Sequence, residues 1–233
     1  MGFCEFTVKD GIFVLTLDSG DGGHNYLTLQ SMADLKQKLE EIRRKARPWN
    51  KGLITTCSGG AFCHGVDYGA LSQPMVDELS HRMAEVLRLL FEMPFPTAAA
   101  VTGDVKSSMA LALVMAHDDT ATLKETMFEM PEVRDGLGNL PPYVGALLRD
   151  KVSFPLVRSS LLLCSEAMNG SKMAYWEFCE GIRDDNEAVM KEAVHIVEVR
   201  IGKVRDGRDY ITTRKSFFPE SWRAVSQFLG DHN

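Results

Sequence analysis

The amino-acid sequence predicts an α/β fold in which two strands and a helix recur about three times before further helices close the chain. Short apolar runs typical of buried strands come in succession, and each set is followed by a longer segment with apolar residues at helical spacing. This order differs from the strict strand–helix alternation of a nucleotide-binding sheet. A chain of 233 residues is long for one domain and short for two.

The first unit begins with a predicted β-hairpin. Residues 3–8 and 12–17 are rich in apolar side chains, and Asp10-Gly11 between them is a dipeptide that favours a tight turn. From Leu29 onward the apolar positions recur at helical spacing, and Thr28 can cap the helix through its side chain. We therefore expect two strands followed by a helix.

The second unit contains the most unusual stretch of the chain. A strand predicted at residues 49–56 leads into SGGAFCHGVDYGAL at residues 58–71, which contains four glycines. A helix is predicted to begin near Pro74, and it ends at MPFP, residues 93–96, because proline lacks the N–H that a helix needs. The glycines have two possible roles. They supply the positive φ angles of a tight turn, or they bend the backbone so that an N–H faces a ligand.

The remaining elements are shorter. Residues 97–101 predict a buried strand, and residues 107–117 predict a helix that is apolar nearly all round. Two short strands are predicted at residues 121–123 and 127–129. Further helical stretches follow Leu140-Pro141-Pro142, surround Leu161 and cover residues 188–204, and a charged segment closes the chain.

Composition and charge exclude several classes of function. The net charge of −6 argues against a nucleic-acid partner, since no basic excess exists to replace phosphate counterions. The five cysteines lack metal-ligand spacing and indicate reduced thiols, so no metal site is expected. The longest apolar stretch is far below the roughly 20 residues that cross a bilayer. We expect no membrane association and no secretory signal.

Four motifs, in order along residues 5–183, resemble the crotonase (enoyl-CoA hydratase/isomerase) family. GLITTCSGGAFCHGVDYGAL resembles the family's strand followed by Gly-x-Ala-Phe-x-x-Gly-x-Asp, and MPFPTAAAVTG resembles Lys-Pro-x-Ile-Ala-Ala-Val-Asn-Gly. ALVMAHD resembles Ala-x-x-Cys-Asp, and FEMPEVRDGL resembles Phe-x-x-Pro-Glu-x-x-x-Gly. The pattern MPEV…LP and the C-terminal TRKSFFPE are most similar to the plant peroxisomal Δ3,Δ2-enoyl-CoA isomerases.

The resemblance implies a crotonase-type spiral of ββα units over residues 1–185. Residues 186–233 are then a C-terminal helical segment at the subunit interface of a homotrimer or hexamer. It also implies an acyl-CoA thioester as substrate, with no other cofactor. The branch it resembles is peroxisomal, but Asp231-His232-Asn233 is not a peroxisomal address, so a cytoplasmic location stays open.

The resemblance assigns the oxyanion site to two main-chain amides. Val66 follows the middle glycine of the motif, and in the family this residue donates its N–H to the thioester oxygen. The second donor falls on Ser108 or Met109. The choice stays open because the Asn of the family's Asn-Gly is replaced, a charged pair appears, and the spacing to His117-Asp118 is one residue longer than in the family. Fixed backbone donors stabilise an enolate oxygen without reorganisation.

The proton chemistry is assigned to Glu132, which matches the glutamate of the Pro-Glu motif. The buried-helix glutamate that hydratases also have falls on Leu111 or Ala112, and neither can titrate. One carboxylate can take a proton from C2 and return it at C4, so the resemblance implies an isomerase. The competing interpretation of Glu132 is a surface glutamate after a proline.

Two other functions stay open. A hydratase or lyase would use Asp104 or Glu129 in place of the missing glutamate. A catalytically inactive ligand-binding or assembly homologue would explain the altered segment at 102–110. Cys63-His64 also resembles a thiolate–imidazole pair, although adjacent residues on an extended loop usually point apart. The residues expected to bind or support the CoA thioester are Ala61, Phe62, His64, Gly65, Asp67, Tyr68 and Leu137.

Overall fold

A strand–strand–helix unit recurs four times in the computed structural model, which describes residues 2–20, 22–67, 71–137 and 140–231. The units are β1 (Cys4–Lys9), β2 (Ile12–Leu17), α1 (Leu29–Lys45); β3 (Gly52–Cys57), β4 (Ala61–Cys63), α2 (Gln73–Phe91); β5 (Thr97–Val101), β6 (Asp104–Lys106), α3 (Ser108–Met115); and β7 (Asp119–Leu123), β8 (Met127–Glu129), α4 (Pro142–Lys151). The elements after them are α5 (Pro155–Leu162), β9 (Met168–Asn169), α6 (Gly170–Tyr175), β10 (Gly181–Arg183), α7 (Asn186–Ile201), α8 (Gly207–Phe217) and α9 (Pro219–Phe228).

The strands of each unit are shared between two sheets. One sheet has the order β1-β2-β3-β5-β7-β10, and the other has the order β4-β6-β8-β9. From the second unit onward, the first strand of a unit joins the larger sheet in parallel and the second strand joins the smaller one. The chain therefore advances as a spiral of ββα units, which confirms the predicted α/β repeat.

Local sequence signals explain the first unit. Asp10 and Gly11 have φ angles of 52° and 82°, as a two-residue hairpin turn of the primed type requires, and β1 pairs with β2 in antiparallel register. Thr28 caps α1 by accepting the Ser31 N–H at 3.1 Å. Both features were predicted. The third strand was placed too early, because the Asn50 N–H donates to Arg47 in a turn and Trp49 is 72% exposed.

Helix α3 lies at the centre of the molecule. All of its side chains are buried, and it packs against α2 and α4 and against strands of both sheets. A helix that is apolar on every face is stable only when it is surrounded, which agrees with its sequence. The end of β6 leads directly into its N-terminus, and this position determines the candidate site.

The C-terminal helices pack on the core of their own chain. Helix α7 covers the larger sheet through Val189, Ala193, Ile196 and Val197, and α9 contacts α2 and α4. The charged C-terminal segment thus forms α8 and α9 over most of its length. Its role at a subunit interface stays a prediction. Over the part of the chain that the structure describes, no helix is both long and apolar enough to span a membrane.

Candidate active site

Three neighbouring parallel strands of the smaller sheet end at the same edge. Strand β6 pairs in parallel with β4 on one side and with β8 on the other. The carboxyl ends of adjacent parallel strands therefore lie side by side, about 4.8 Å apart. Each strand is followed within three residues by a predicted site residue: Val66 after β4, Ser108 after β6 and Glu132 after β8. The topology thus brings together residues that are far apart in sequence.

The end of β4 and the start of α3 are in direct contact at Gly65. Its φ is +71°, and a Cβ at this position would lie 1.6 Å from Ser107 Oγ. The Leu27 N–H also donates to the Gly65 carbonyl at 2.7 Å, which fixes the segment from its other side. Only glycine combines this φ with so close an approach. The glycine before Val66 therefore places that residue against the N-terminus of α3.

Hydrogen bonds join the end of β8 to the start of α3. The Ser107 N–H donates to the Glu129 carbonyl at 2.9 Å, and the Ser108 N–H donates to Glu132 Oε1 at 2.6 Å. A carboxylate at a helix N-terminus is stabilised by the amides and the dipole of that helix. Glu132 is 1% exposed, so its interpretation as a surface glutamate is wrong. The Leu137 N–H donates to the Glu132 carbonyl at 2.9 Å and closes the turn that holds it.

Two main-chain amides at this edge, both of buried residues, have no acceptor within the described part of the chain. Within the described ranges, no hydrogen bond uses the N–H of Val66 or of Met109, and both residues are buried. Buried N–H groups without a partner are rare in folded proteins. The N–H of Ser108, in contrast, is taken by Glu132. The arrangement can therefore offer two amide donors to one oxygen atom, with a carboxylate beside them.

An apolar cavity of about 470 Å³ opens beside Asp67, the residue after Val66. Its volume lies within the usual range for small-molecule sites. It lies between α2 and the segment that enters α1, and Asp67 is among its lining residues. The lining residues are Tyr26, Leu27, Thr28, Leu29, Gln30, Asp67, Leu71, Met75 and Leu79. Tyr68, which was also predicted to bind here, lies outside the described residues.

The remaining predicted binding residues occupy different depths. His64 is half-buried, and its Nδ1 lies 3.2 Å from Nδ1 of His24. The Cys63 thiol donates to the Asn25 carbonyl at 3.2 Å, so Cys63 and His64 engage different neighbours. Ala61 and Phe62 are fully buried in the core. Their contribution to binding stays a prediction.

Asn25 is a site residue that the sequence did not single out. Its Nδ2 donates to the carbonyls of Ala61 at 2.9 Å and Phe62 at 3.3 Å, while Oδ1 accepts the Ser19 N–H at 2.9 Å. Its φ of 53° is in the left-handed region that asparagine tolerates. Asn25 therefore fixes the backbone of β4 just before the Gly65–Val66 turn. The position of Asn25 just after Gly22-Gly23 is the signal in the sequence that could have identified it.

A larger cavity, of about 710 Å³, lies beyond the opposite end of α3. Several of the charged groups around it bind one another or main-chain carbonyls. Asp118 accepts from Arg214 Nε at 2.6 Å and Nη2 at 2.7 Å, and Lys151 donates to the carbonyls of His117 and Asp118. An eight-residue helix spans about 12 Å, so this cavity is remote from Glu132. We therefore assign its charges to the packing of α8 rather than to the candidate site.

Buried hydrogen bonds hold the residues at the end of α3. His117 Nε2 lies 2.8 Å from Thr55 Oγ1, and Nδ1 lies 2.9 Å from the Leu113 carbonyl. Burial lowers the pKa of His117 to about 4. Burial opposes ionisation of Asp118, but the Arg214 guanidinium outweighs it and lowers the pKa of Asp118 to about 2. The five cysteines are free, and burial raises the pKa of Cys4 to about 12.

Two curated relatives extend over almost the whole chain. An enoyl-CoA delta isomerase 2 of Arabidopsis thaliana, named peroxisomal, is 30% identical over 227 residues, which cover 93% of this chain and 92% of that protein. The enoyl-CoA delta isomerase 3 of the same plant is 29% identical and covers 99% of both chains. A probable enoyl-CoA hydratase of Rhodobacter capsulatus is 28% identical over 57% of this chain and 51% of its own.

Solved structures of related proteins share the fold. An enoyl-CoA isomerase of Mycobacterium tuberculosis superimposes with a TM-score of 0.86 at 18% identity and covers 98% of this chain and 96% of its own. An enoyl-CoA hydratase of Mycobacterium marinum gives the same TM-score and identity, covering 98% and 97%. The crotonase-type fold is thus confirmed. Residues 7–203 match the profile of the enoyl-CoA hydratase/isomerase family, and the chain belongs to that family.

Proposed function

We propose that the protein is a Δ3,Δ2-enoyl-CoA isomerase, which moves the double bond of a 3-enoyl-CoA to the 2-trans position. The observation that carries this proposal is the buried Glu132 carboxylate, held by the Ser108 N–H at the edge where β4, β6 and β8 end. It lies beside the two amides without acceptors, which belong to Val66 and Met109.

The reaction needs one base and one oxyanion site. Glu132 takes the proton from C2 of the thioester, and the electron pair of the broken C–H bond spreads over the dienolate to the thioester oxygen. The N–H groups of Val66 and Met109 donate to that oxygen, which becomes more negative as the proton leaves. Glu132 then returns the proton to C4, the double bond settles between C2 and C3, and the carboxylate is regenerated.

The residues at the position of the second family glutamate favour isomerisation over hydration. Leu111 and Ala112, at the position of the second family glutamate, are apolar and fully buried. The possible replacements are engaged elsewhere. Asp104 Oδ1 accepts the Met127 N–H at 3.0 Å, and Glu129 Oε1 forms an ion pair with Arg134 at 2.6 Å. Neither contact supports a role for Asp104 or Glu129 in activating water.

The altered segment at 102–110 is compatible with an oxyanion site. Its charged residues, Asp104 and Lys106, pair with each other at 3.4 Å along β6. Ser107 has a φ of 132°, and its Oγ accepts the Ala110 N–H at 3.2 Å. The N-terminus of α3 is thus formed and capped, with the Met109 amide available. This favours an active enzyme over an inactive binding homologue.

An assay with three arms tests the proposal. The purified protein is given a 3-enoyl-CoA, and formation of the conjugated 2-enoyl thioester is followed by absorbance. Hydration of a 2-enoyl-CoA and binding of CoA are measured in parallel. We expect isomerase turnover with weak or absent hydration. Hydration as fast as isomerisation would support the hydratase, and binding without any turnover would support the inactive homologue.

We also propose a peroxisomal location. The enoyl-CoA delta isomerases 1 and 2 of Arabidopsis thaliana, which are 28% and 30% identical to this chain, carry the word peroxisomal in their names, and this supports that compartment over the cytoplasm. Fluorescent fusions with the tag at either terminus, imaged with a peroxisomal marker, provide the test. A diffuse cytoplasmic signal from both fusions would contradict the proposal.

A further inference from the structure

The hydroxyl of Ser108 is buried beside the candidate site without a hydrogen-bond partner. Ser108 is 0% exposed, and its Oγ is one of a few buried side-chain polar atoms in the described segments that lack a partner. Leaving a buried hydroxyl unsatisfied destabilises the folded state. Such an atom therefore requires an explanation, and a bound ligand is one.

The position of Ser108 in α3 explains why its hydroxyl has no acceptor within the protein. A buried serine inside a helix can donate to the carbonyl one turn earlier, as Ser80 does to Val76 at 2.8 Å. Ser108 is the first residue of α3, so no preceding helical turn exists. The neighbouring Ser107 hydroxyl is used as the helix cap. The Ser108 hydroxyl is thus left available to donate a hydrogen bond to a ligand.

The same residue lies at the centre of the candidate chemistry. Its N–H holds Glu132 Oε1 at 2.6 Å, and the next residue carries the amide of Met109 that has no acceptor. Covalent geometry keeps Oγ within about 4 Å of its own nitrogen, and hence within about 6.5 Å of Glu132 Oε1. The hydroxyl and the carboxylate are thus close enough for one thioester group to contact both.

We propose that Ser108 is a catalytic residue whose hydroxyl donates a hydrogen bond to the enolate oxygen, as a third donor beside the amides of Val66 and Met109. The inference rests on the proposed function. No proton is transferred, since the hydrogen stays on Oγ throughout. An enolate oxygen is a far stronger acceptor than a thioester carbonyl, so the bond strengthens as the C2 proton leaves. The hydroxyl therefore raises turnover more than it raises affinity.

The test compares two identical substitutions at buried hydroxyls without partners. For Ser108→Ala we expect kcat to fall about 10- to 100-fold, with KM changed less than about threefold. Its melting temperature should not fall, because the substitution removes an unsatisfied polar group. Ser226→Ala, in α9 and remote from the site, is the matched control and should keep wild-type turnover. Ser108→Cys, which keeps a weaker donor, should fall between Ser108→Ala and the wild type.

A second readout is independent of turnover. A 3-oxoacyl-CoA ionises to an enolate that absorbs in the near ultraviolet, and an oxyanion site increases the enolate fraction of the bound ligand. We expect the wild type and Ser226→Ala to show this absorbance and Ser108→Ala to lose most of it, while all three bind CoA equally.

The outcomes separate this inference from the proposed function. Equal enolate absorbance and equal kcat in the wild type and Ser108→Ala would overturn the role of Ser108 alone. A Ser108→Ala variant that melts well below the wild type would also overturn it, because the hydroxyl would then be structural. If the wild type forms the enolate but does not isomerise a 3-enoyl-CoA, the proposed function fails while the absorbance still decides the role of Ser108. A wild type that forms no enolate would overturn both.

Discussion

Glu132 is the residue on which the proposed chemistry depends most directly. We predict that Glu132→Gln lowers isomerase turnover by at least ~10²-fold, because an amide cannot accept the C2 proton. The glutamine Oε1 can still accept the Ser108 N–H, so the fold and the affinity for CoA should be nearly unchanged. Steady-state kinetics and CoA titration measure both quantities.

The control for this variant is Glu129→Gln. Glu129 lies three residues earlier, and its carboxylate pairs with the exposed Arg134. Exposed ion pairs contribute little to the free energy of unfolding, so loss of this pair should leave the fold and hence the turnover nearly unchanged. A Glu132→Gln variant that keeps more than about half of the wild-type turnover would show that another group moves the proton.

Val66 is expected to act through its backbone rather than its side chain. Val66→Pro removes the N–H and should lower turnover by ~10² to 10³, the usual effect of losing one oxyanion donor. Binding of free CoA, which has no acyl carbonyl, should change little. Val66→Ala keeps the N–H and should turn over at close to the wild-type rate. Normal turnover by a folded Val66→Pro variant would show that the glycines around Val66 only form a turn.

At the scale of elements, one buried ion pair attaches α8 to the core. Arg214 is 4% exposed and binds both carboxylate oxygens of Asp118, and it also donates to the carbonyls of Met93 and Phe95. We predict that Arg214→Met lowers the free energy of unfolding by about 3–5 kcal/mol, because Asp118 is left as a buried charge without its partner. Urea unfolding measures the change.

A surface pair supplies the comparison for this prediction. Arg149 forms an ion pair with Glu220, and both side chains are about half exposed. Arg149→Met should therefore lower the free energy of unfolding by less than about 1 kcal/mol. Adding Asp118→Asn to Arg214→Met should restore part of the lost stability, since the unpaired charge is then removed. Equal effects of the two single arginine substitutions would contradict a structural role for the buried pair.

The same pair predicts a dependence of stability on acid. Burial opposes ionisation of Asp118, but Arg214 lowers its pKa to about 2, from an ordinary value of 3.8. The unfolded chain therefore binds a proton more readily than the folded protein between these values. The stabilisation is complete above pH 3.8 and is lost as the pH falls towards 2. Melting temperatures measured across this interval should fall more steeply for the wild type than for Asp118→Asn.

At the scale of the whole molecule, we predict a trimer or a multiple of it. The family resemblance implies this assembly, and several large apolar side chains are exposed on or beside α5, α6 and α8 of the single chain. They are Phe154, Leu156, Tyr175 and Phe217. Burial of such surface favours association. Light scattering at micromolar concentration should give three chains or a multiple, and Leu156→Glu should weaken the assembly. A monodisperse monomer would contradict the prediction.

The sequence alone determined the features that depend on neighbouring residues. The turn at Asp10-Gly11, the cap at Thr28 and the buried character of α3 follow from local turn chemistry, capping and periodicity. The order of four motifs was enough to indicate the family and to select Glu132 and Val66. Strands β4 and β6 were missed, because β4 lies inside the glycine-rich stretch and two of the three residues of β6 are charged.

Only the tertiary structure decided how the site is assembled. The sequence left the second donor open between Ser108 and Met109, and the hydrogen bond from the Ser108 N–H to Glu132 leaves the Met109 amide available. The sequence also did not indicate three other features of the site. They are the burial of Glu132, the hydrogen bonds from Asn25 to β4 and the contact of Gly65 with Ser107. Each joins segments that are more than 20 residues apart in the chain. The pairing of β4, β6 and β8 sets these contacts, and packing of the whole chain, rather than any local pattern, determines that pairing.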